Sequence, residues 1–267
     1  MKITSLFLLL LTLFSCKESI NTKQEDTKIE VIAKDIKGSY PEVLMKVLDA
    51  HGGVANWKKQ KTLTYEIPSE KGVEKQTVDL ISRKDKISNG IVQIGFDGEN
   101  VWLLDEAKTY KGDPVFYHNL MFYFYSMPFV LADKGIVYGK TEDLKFEGKS
   151  YPGISISYNP GVGISYKDEY YLHYDPETYQ MAWLGYTVSY RTGEKSDNIK
   201  WIRYNDWMKI EDVKLPKSIT WYAYEGREIK GAKNTVNFEN VELSTKANPD
   251  GYYAKPELAT IVTGKQQ

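Results

Sequence analysis

Tyr170-Tyr171-Leu172-His173-Tyr174-Asp175-Pro176-Glu177-Thr178-Tyr179-Gln180-Met181-Ala182-Trp183-Leu184-Gly185-Tyr186-Thr187-Val188-Ser189-Tyr190 decides the fold of this chain. Its second half alternates. Leu184, Tyr186, Val188 and Tyr190 interleave with Gly185, Thr187 and Ser189, the period-two pattern of a strand with one buried face. Asp175-Pro176-Glu177-Thr178 reads as a turn, because proline presets φ and an aspartate side chain accepts nearby backbone N–H groups. Extended segments on both sides of a short turn make an antiparallel hairpin.

The same signals recur in both directions. Ile154, Ile156 and Tyr158 interleave with Ser155 and Ser157, and Ile219, Trp221 and Ala223 oppose Thr220, Tyr222 and Tyr224. Asp97-Gly98 separates Ile91–Phe96 from Val101–Leu104, and Arg191–Asp197 closes the hairpin after Tyr190. In Val236, Phe238, Val241 and Leu243 the phase flips across Glu239-Asn240, which predicts a β-bulge there. The expectation is a mainly β protein with a few helices, an antiparallel meander of roughly ten or eleven strands.

Two segments read as helical. Ser39-Tyr40-Pro41-Glu42 has the form of a capping box, Leu44, Val47, Leu48 and His51 follow at helical spacing, and Gly52-Gly53 supplies a stop. This predicts an N-terminal amphipathic helix over Tyr40–His51, with His51 complementing the negative end of the dipole. Val115–Ala132 carries seven Phe and Tyr residues without alternation, and Met127-Pro128 divides it. A helix over Val115–Ser126, capped by Asp113, and a short piece over Pro128–Ala132 follow. Too short to cross a bilayer yet apolar on nearly all sides, the insert must be buried in protein as a lid or plug, inside or across the mouth of a curved sheet.

The chain begins Met1-Lys2, continues through the apolar run Leu6–Phe14, and reaches its only cysteine in Leu13-Phe14-Ser15-Cys16. This pattern resembles a bacterial lipoprotein signal, which implies cleavage before Cys16 and lipidation on its thiol. The expected layout is a signal peptide at 1–15, lipidated Cys16 with a polar tether to 38, one β domain at 39–262 and a tail at 263–267. As a coil of about 20 residues the tether spans roughly 25 Å on average. Lipid anchoring implies the cell envelope, most simply the outer membrane, facing the periplasm or the cell surface. A single cysteine allows no internal disulfide, so packing alone holds the domain.

With 35 Lys+Arg against 36 Asp+Glu, no field attracts nucleic acid. The 21 tyrosines suit walls that are half dry and half wet. His51, His118 and His173 are dispersed, without zinc spacing, and no nucleophile elbow, phosphate loop or dinucleotide fingerprint is present, so neither a metal, a cofactor nor a catalytic residue is assigned. Asp97, Asp105, Asp113, Asp133, Asp168 and Asp175 fall mostly at turns, where carboxylates accept backbone hydrogen bonds; a hydrolase built on a carboxylate pair remains an alternative.

The lipoprotein signal, the amphipathic helix, the Asp97–Trp102 hairpin, the aromatic insert, the Asp175–Thr178 turn and Leu215-Pro216 before Lys217–Tyr224, taken in order, resemble the LolA/LolB-like superfamily. His51–Trp57, Met127–Asp133 and Ala182–Tyr186 resemble an uncharacterised lipoprotein family of Gram-negative envelopes. The resemblance implies a half-open antiparallel β-barrel with a helical lid over an apolar cavity, a fold used by lipoprotein carriers and receptors. Phe122, Phe124, Phe129, Trp183 and Trp221 are the candidate cavity residues. The expected function is non-catalytic binding of a lipid, acyl chain or other hydrophobic ligand by a monomer held at the membrane. A surface-exposed lipoprotein that binds glycan or protein is the other alternative.

Overall fold

The computed structural model describes residues 40–161, 166–249 and 251–264. The expected signal peptide, Cys16, the expected tether, Ser39 and residues 265–267 lie outside them. Helices α1 (Glu42–Ala50) and α2 (Val54–Lys59) come first, and α1 buries the stripe Leu44, Val47 and Leu48 that its spacing marks. It is shorter than Tyr40–His51. Pro41 is its N-cap and offers no side-chain bond, while Glu42 turns to Lys46 one turn on, at 2.8 Å.

His51 corrects the dipole expectation. It is wholly buried, its Nδ1 donates to the Val47 carbonyl at 2.7 Å, and its ring packs edge-on against Trp207. Burial pushes its pKa down to about 4, so it closes the last turn as a neutral donor rather than as a cation. Gly52, at φ 102°, ends the helix where an added Cβ would lie 2.0 Å from the Asp212 carbonyl.

Strands β1 (Thr62–Ser69), β2 (Gly72–Asp79), β3 (Asp85–Ser88), β4 (Gln93–Phe96) and β5 (Val101–Leu104) form an antiparallel meander. The insert follows as α3 (Pro114–Tyr117), α4 (Leu120–Tyr125) and a 3-10 turn at Phe129–Ala132. Asp113 caps α3 as expected, accepting from the N–H groups of Val115 and Phe116. The single helix expected over Val115–Ser126 is broken at His118-Asn119, where the His118 ring reaches Asp85 of β3 at 2.7 Å and ties the insert to the first sheet.

Strands β6 (Ile136–Lys140), β7 (Leu144–Phe146), β8 (Lys149–Tyr151), β9 (Gly153–Tyr158), β10 (Tyr170–Tyr174), β11 (Met181–Tyr186), β12 (Lys200–Ile210), β13 (Val213–Glu225), β14 (Glu228–Asn237), β15 (Glu239–Ser244) and β16 (Thr260–Val262) complete the chain. One sheet runs β15-β1-β2-β3-β4-β5-β16, the other β14-β13-β12-β11-β10-β9-β6, and β7-β8 is a separate ribbon. The protein is mainly β with few helices, and neither large sheet closes on itself. Sixteen strands among the described residues exceed the ten or eleven expected, because three-residue strands such as β7, β8 and β16 are too short to alternate legibly.

Two irregularities position the interior. Opposite Thr64–Glu66, the β15 residues from Glu239 to Glu242 carry the expected bulge, with Asn240 at φ 48°. The chain also changes sheet there: β14 pairs with β13, β15 with β1, and Phe238 between them is buried against Tyr65 and Tyr125. Strand β11 ends at Tyr186 rather than continuing to Tyr190, because the Ser189 N–H turns aside to the Asp168 carboxylate.

Candidate binding cavity

A row of aromatic side chains crosses the inner face of the second sheet. Tyr158 of β9 meets Tyr170 of β10 edge-on with ring centres 5.8 Å apart, and Tyr170 lies 6.4 Å from Tyr186 of β11. The Tyr186 hydroxyl accepts from the Trp221 indole N–H of β13 at 2.9 Å. Burial raises the pKa of all three phenols above the ordinary tyrosine value, so their hydroxyls keep their protons and stay donors in an otherwise apolar wall.

The insert faces this wall but meets it at few points. Phe124 packs 5.0 Å from Tyr186 and 5.7 Å from Trp221, and its carbonyl accepts from the Tyr204 hydroxyl at 2.8 Å. Near α3, the Phe116 ring packs at a tilt 4.8 Å from that of Tyr190, whose hydroxyl donates to Asp113 at 3.1 Å. Between insert and sheet lies a cavity of about 830 Å³ whose lining includes Phe116, Tyr123, Phe124, Tyr158, Tyr170, Tyr186 and Trp221. That is within the range of roughly 300–1,000 Å³ common for small-molecule sites.

Its polar lining is asymmetric. Arg83, Lys134, Arg191 and Lys200 supply cations, Asp133 and Asp168 carboxylates. Arg83 holds Asp133 at 2.7 Å and lies 4.9 Å over the Phe122 ring. Burial raises both aspartates, while Arg83 opposes the shift at Asp133, and Ser189 and then Lys200 oppose it at Asp168. Among the described residues no cluster of three His, Cys, Asp or Glu side chains can hold a metal ion.

Of the five candidate residues, Phe124 and Trp221 line this cavity and three do not. Phe129 stacks on Trp57 of α2, with ring centres 4.8 Å apart and planes 6° from parallel. Phe122 is buried under the Arg83 guanidinium. Trp183 corrects the sequence assignment most sharply. Leu184 registers with Ile202 and Ile202 with Trp221, so Trp183, one residue from Leu184, projects from the opposite face to Trp221. There it is buried with Trp201 beneath the β7-β8 ribbon.

The principal wall residues missed from sequence are Tyr158, Tyr170 and Tyr186, with Arg83 and Lys200 at the polar margin. Their signal was the tyrosine excess at alternating positions, but only the register β9-β10-β11 puts three of them in one row.

Fold and cavity define a class: a mainly β protein of two open antiparallel sheets in which a helical insert stands over an aromatic hollow. The chain belongs to a family of unknown function, DUF6503, whose pattern matches residues 54–237 and takes in both the insert and the sheet it faces. No match is found among curated proteins. Among solved structures it is similar to a DUF1329 family protein from Desulfovibrio piger, at 11% identity and TM-score 0.45 over 75% of this chain and 92% of that one. It is also similar to a LolA superfamily protein from Nitrosomonas europaea, at 10% identity and TM-score 0.44 over 80% of this chain and 96% of that one.

Proposed function

We propose that this protein is a lipid-anchored envelope lipoprotein that takes a lipid, acyl chain or other apolar ligand into the cavity and does not act on it chemically. The supporting observation is the hollow itself, walled by Phe124, Tyr158, Tyr170, Tyr186 and Trp221. Each methylene moved from water into it contributes about 0.8 kcal/mol. Attachment through Cys16, on the outer membrane, keeps the domain beside a source of such ligands. Among the described residues no helix is long and apolar enough to cross a membrane.

One observation favours a second reading, a carboxylate-pair hydrolase: Asp133 and Asp168 line the same cavity and burial raises both. Each is already committed, Asp133 to Arg83 and Asp168 to the Ser189 N–H, which favours structural roles. Titration with the neutral apolar fluorophore N-phenyl-1-naphthylamine tests the binding reading. Saturable uptake at one site is the expected result; fluorescence that grows without saturation, or not at all, rejects it. Cys16→Ser should abolish incorporation of radiolabelled palmitate into the chain, and incorporation that persists would remove the anchor from the account.

A further inference from the structure

The cavity's polar lining goes beyond the need to hold a hydrocarbon. It carries four cations against two carboxylates, and the two carboxylates are already engaged. Arg83 is paired with Asp133, whereas Lys134, Arg191 and Lys200 have no ion-pair or hydrogen-bond partner among the described residues; only Lys200 has a carboxylate acting on it, that of Asp168. A neutral lipid would leave Lys134 and Arg191 without a carboxylate and Lys200 with only Asp168, which the Ser189 N–H already engages. An ionised head group would pair with them while its chain lay against Tyr170, Tyr186 and Trp221.

Resting on the apolar-ligand reading above, we infer that the ligand is an amphiphile with a single anionic head group, a long-chain carboxylate or its phosphate counterpart. Lys134, Arg191 and Lys200 select the head, and the aromatic row takes the chain. Lys134 and Arg191 are exposed and Lys200 half-buried, so the head stays at the wet margin and the selection weakens as salt rises.

The test uses the full chain carrying Cys16→Ser, so that its own acyl chains cannot compete. Bound N-phenyl-1-naphthylamine is displaced with palmitate, with hexadecanol and with inorganic phosphate at pH 7.5 and low salt. Palmitate is expected to displace at about tenfold lower concentration than hexadecanol, as charge pairing at a partly wet site allows. In the Lys134→Gln, Arg191→Gln, Lys200→Gln triple variant, with its fold checked by circular dichroism, that ratio should fall towards one.

A ratio near one in the unsubstituted cavity overturns the head-group inference while leaving the apolar reading intact. A ratio that survives the triple substitution overturns the assignment to these residues. Displacement by phosphate alone identifies a free-anion site and overturns the amphiphile. Failure of the probe to bind at all takes the apolar reading down with it.

Discussion

The two faces of the second sheet use the same materials to opposite ends. On the outer face Trp183, Trp201 and Tyr222 lie under the β7-β8 ribbon, with Phe146 4.9 Å from Trp183 and the Arg203 guanidinium 4.6 Å over the same indole. On the inner face Tyr158, Tyr170, Tyr186 and Trp221 lie under the helical insert, which touches them chiefly through Phe124 and leaves about 830 Å³ open. Aromatic content therefore does not make a cavity. The covering element does: a two-stranded ribbon lies down on the sheet, while a broken helix, capped at its start by Asp113, tied at its break by His118 and near the end of α4 by Tyr204, stands away from it.

The largest effect that distinguishes the faces is truncation. Trp183→Ala should cost about 3–5 kcal/mol in urea unfolding, because a filled face cannot close over the void. Trp221→Ala, beside an existing hollow, should cost about 1–2 kcal/mol yet weaken uptake of an apolar ligand more. Equal costs would mean that the two faces are equally packed.

Acid should act through the filled regions. Burial holds His173, on the outer face, and His51, at the end of α1, to pKa values of about 4, with the carbonyls of Tyr151 and Val47 pulling the other way. Both pKa values lie below the unfolded value of 6.5, so this stability is complete above pH 6.5 and is lost as pH falls through about 4. The loss is at most about 3 kcal/mol for each ring. Asp85 has the opposite sign. Burial raises it to about 6 although His118 counters the shift, so its contribution is present at low pH and lost as pH rises through about 6, which partly offsets the histidines. Urea midpoints that stay flat between pH 6.5 and 4 would show that the two rings are not buried neutral.

Smaller substitutions sharpen the contrast. A Cβ at Gly185 would meet the Trp201 ring at 2.8 Å, so Gly185→Ala should destabilise the outer face by about 1–3 kcal/mol; no loss would mean that the cluster gives way easily. Asp113→Ala removes the cap of α3 and should cost about 1 kcal/mol while loosening the insert, seen as faster amide exchange over residues 115–125 than in β11. Uniform exchange would separate the cap from the cavity's cover.

The antiparallel meander, the turns at Asp97 and Asp175, the bulge after Phe238 and the helical insert were legible because each has a local cause in turn chemistry or periodicity. The assignment of aromatics to faces was not. Met181–Tyr186 is buried along its whole length, so alternation of Trp183 and Leu184 carries no polarity that says which face is hollow. That depends on a ribbon of two three-residue strands, invisible to periodicity, and on a register that runs through Ile202 to Trp221. The broken insert was hidden in the same way, since the His118–Asp85 contact joins residues 33 positions apart.

The central claim is that the inner face is hollow in order to be filled. Native mass spectrometry of the chain carrying Cys16→Ser, purified without detergent from envelope extract, tests it most directly. The account predicts a population heavier than the polypeptide by one amphiphile, shed on collisional activation and reduced in Trp221→Ala. A bare polypeptide mass in every preparation, unchanged after incubation with lipid, would contradict it.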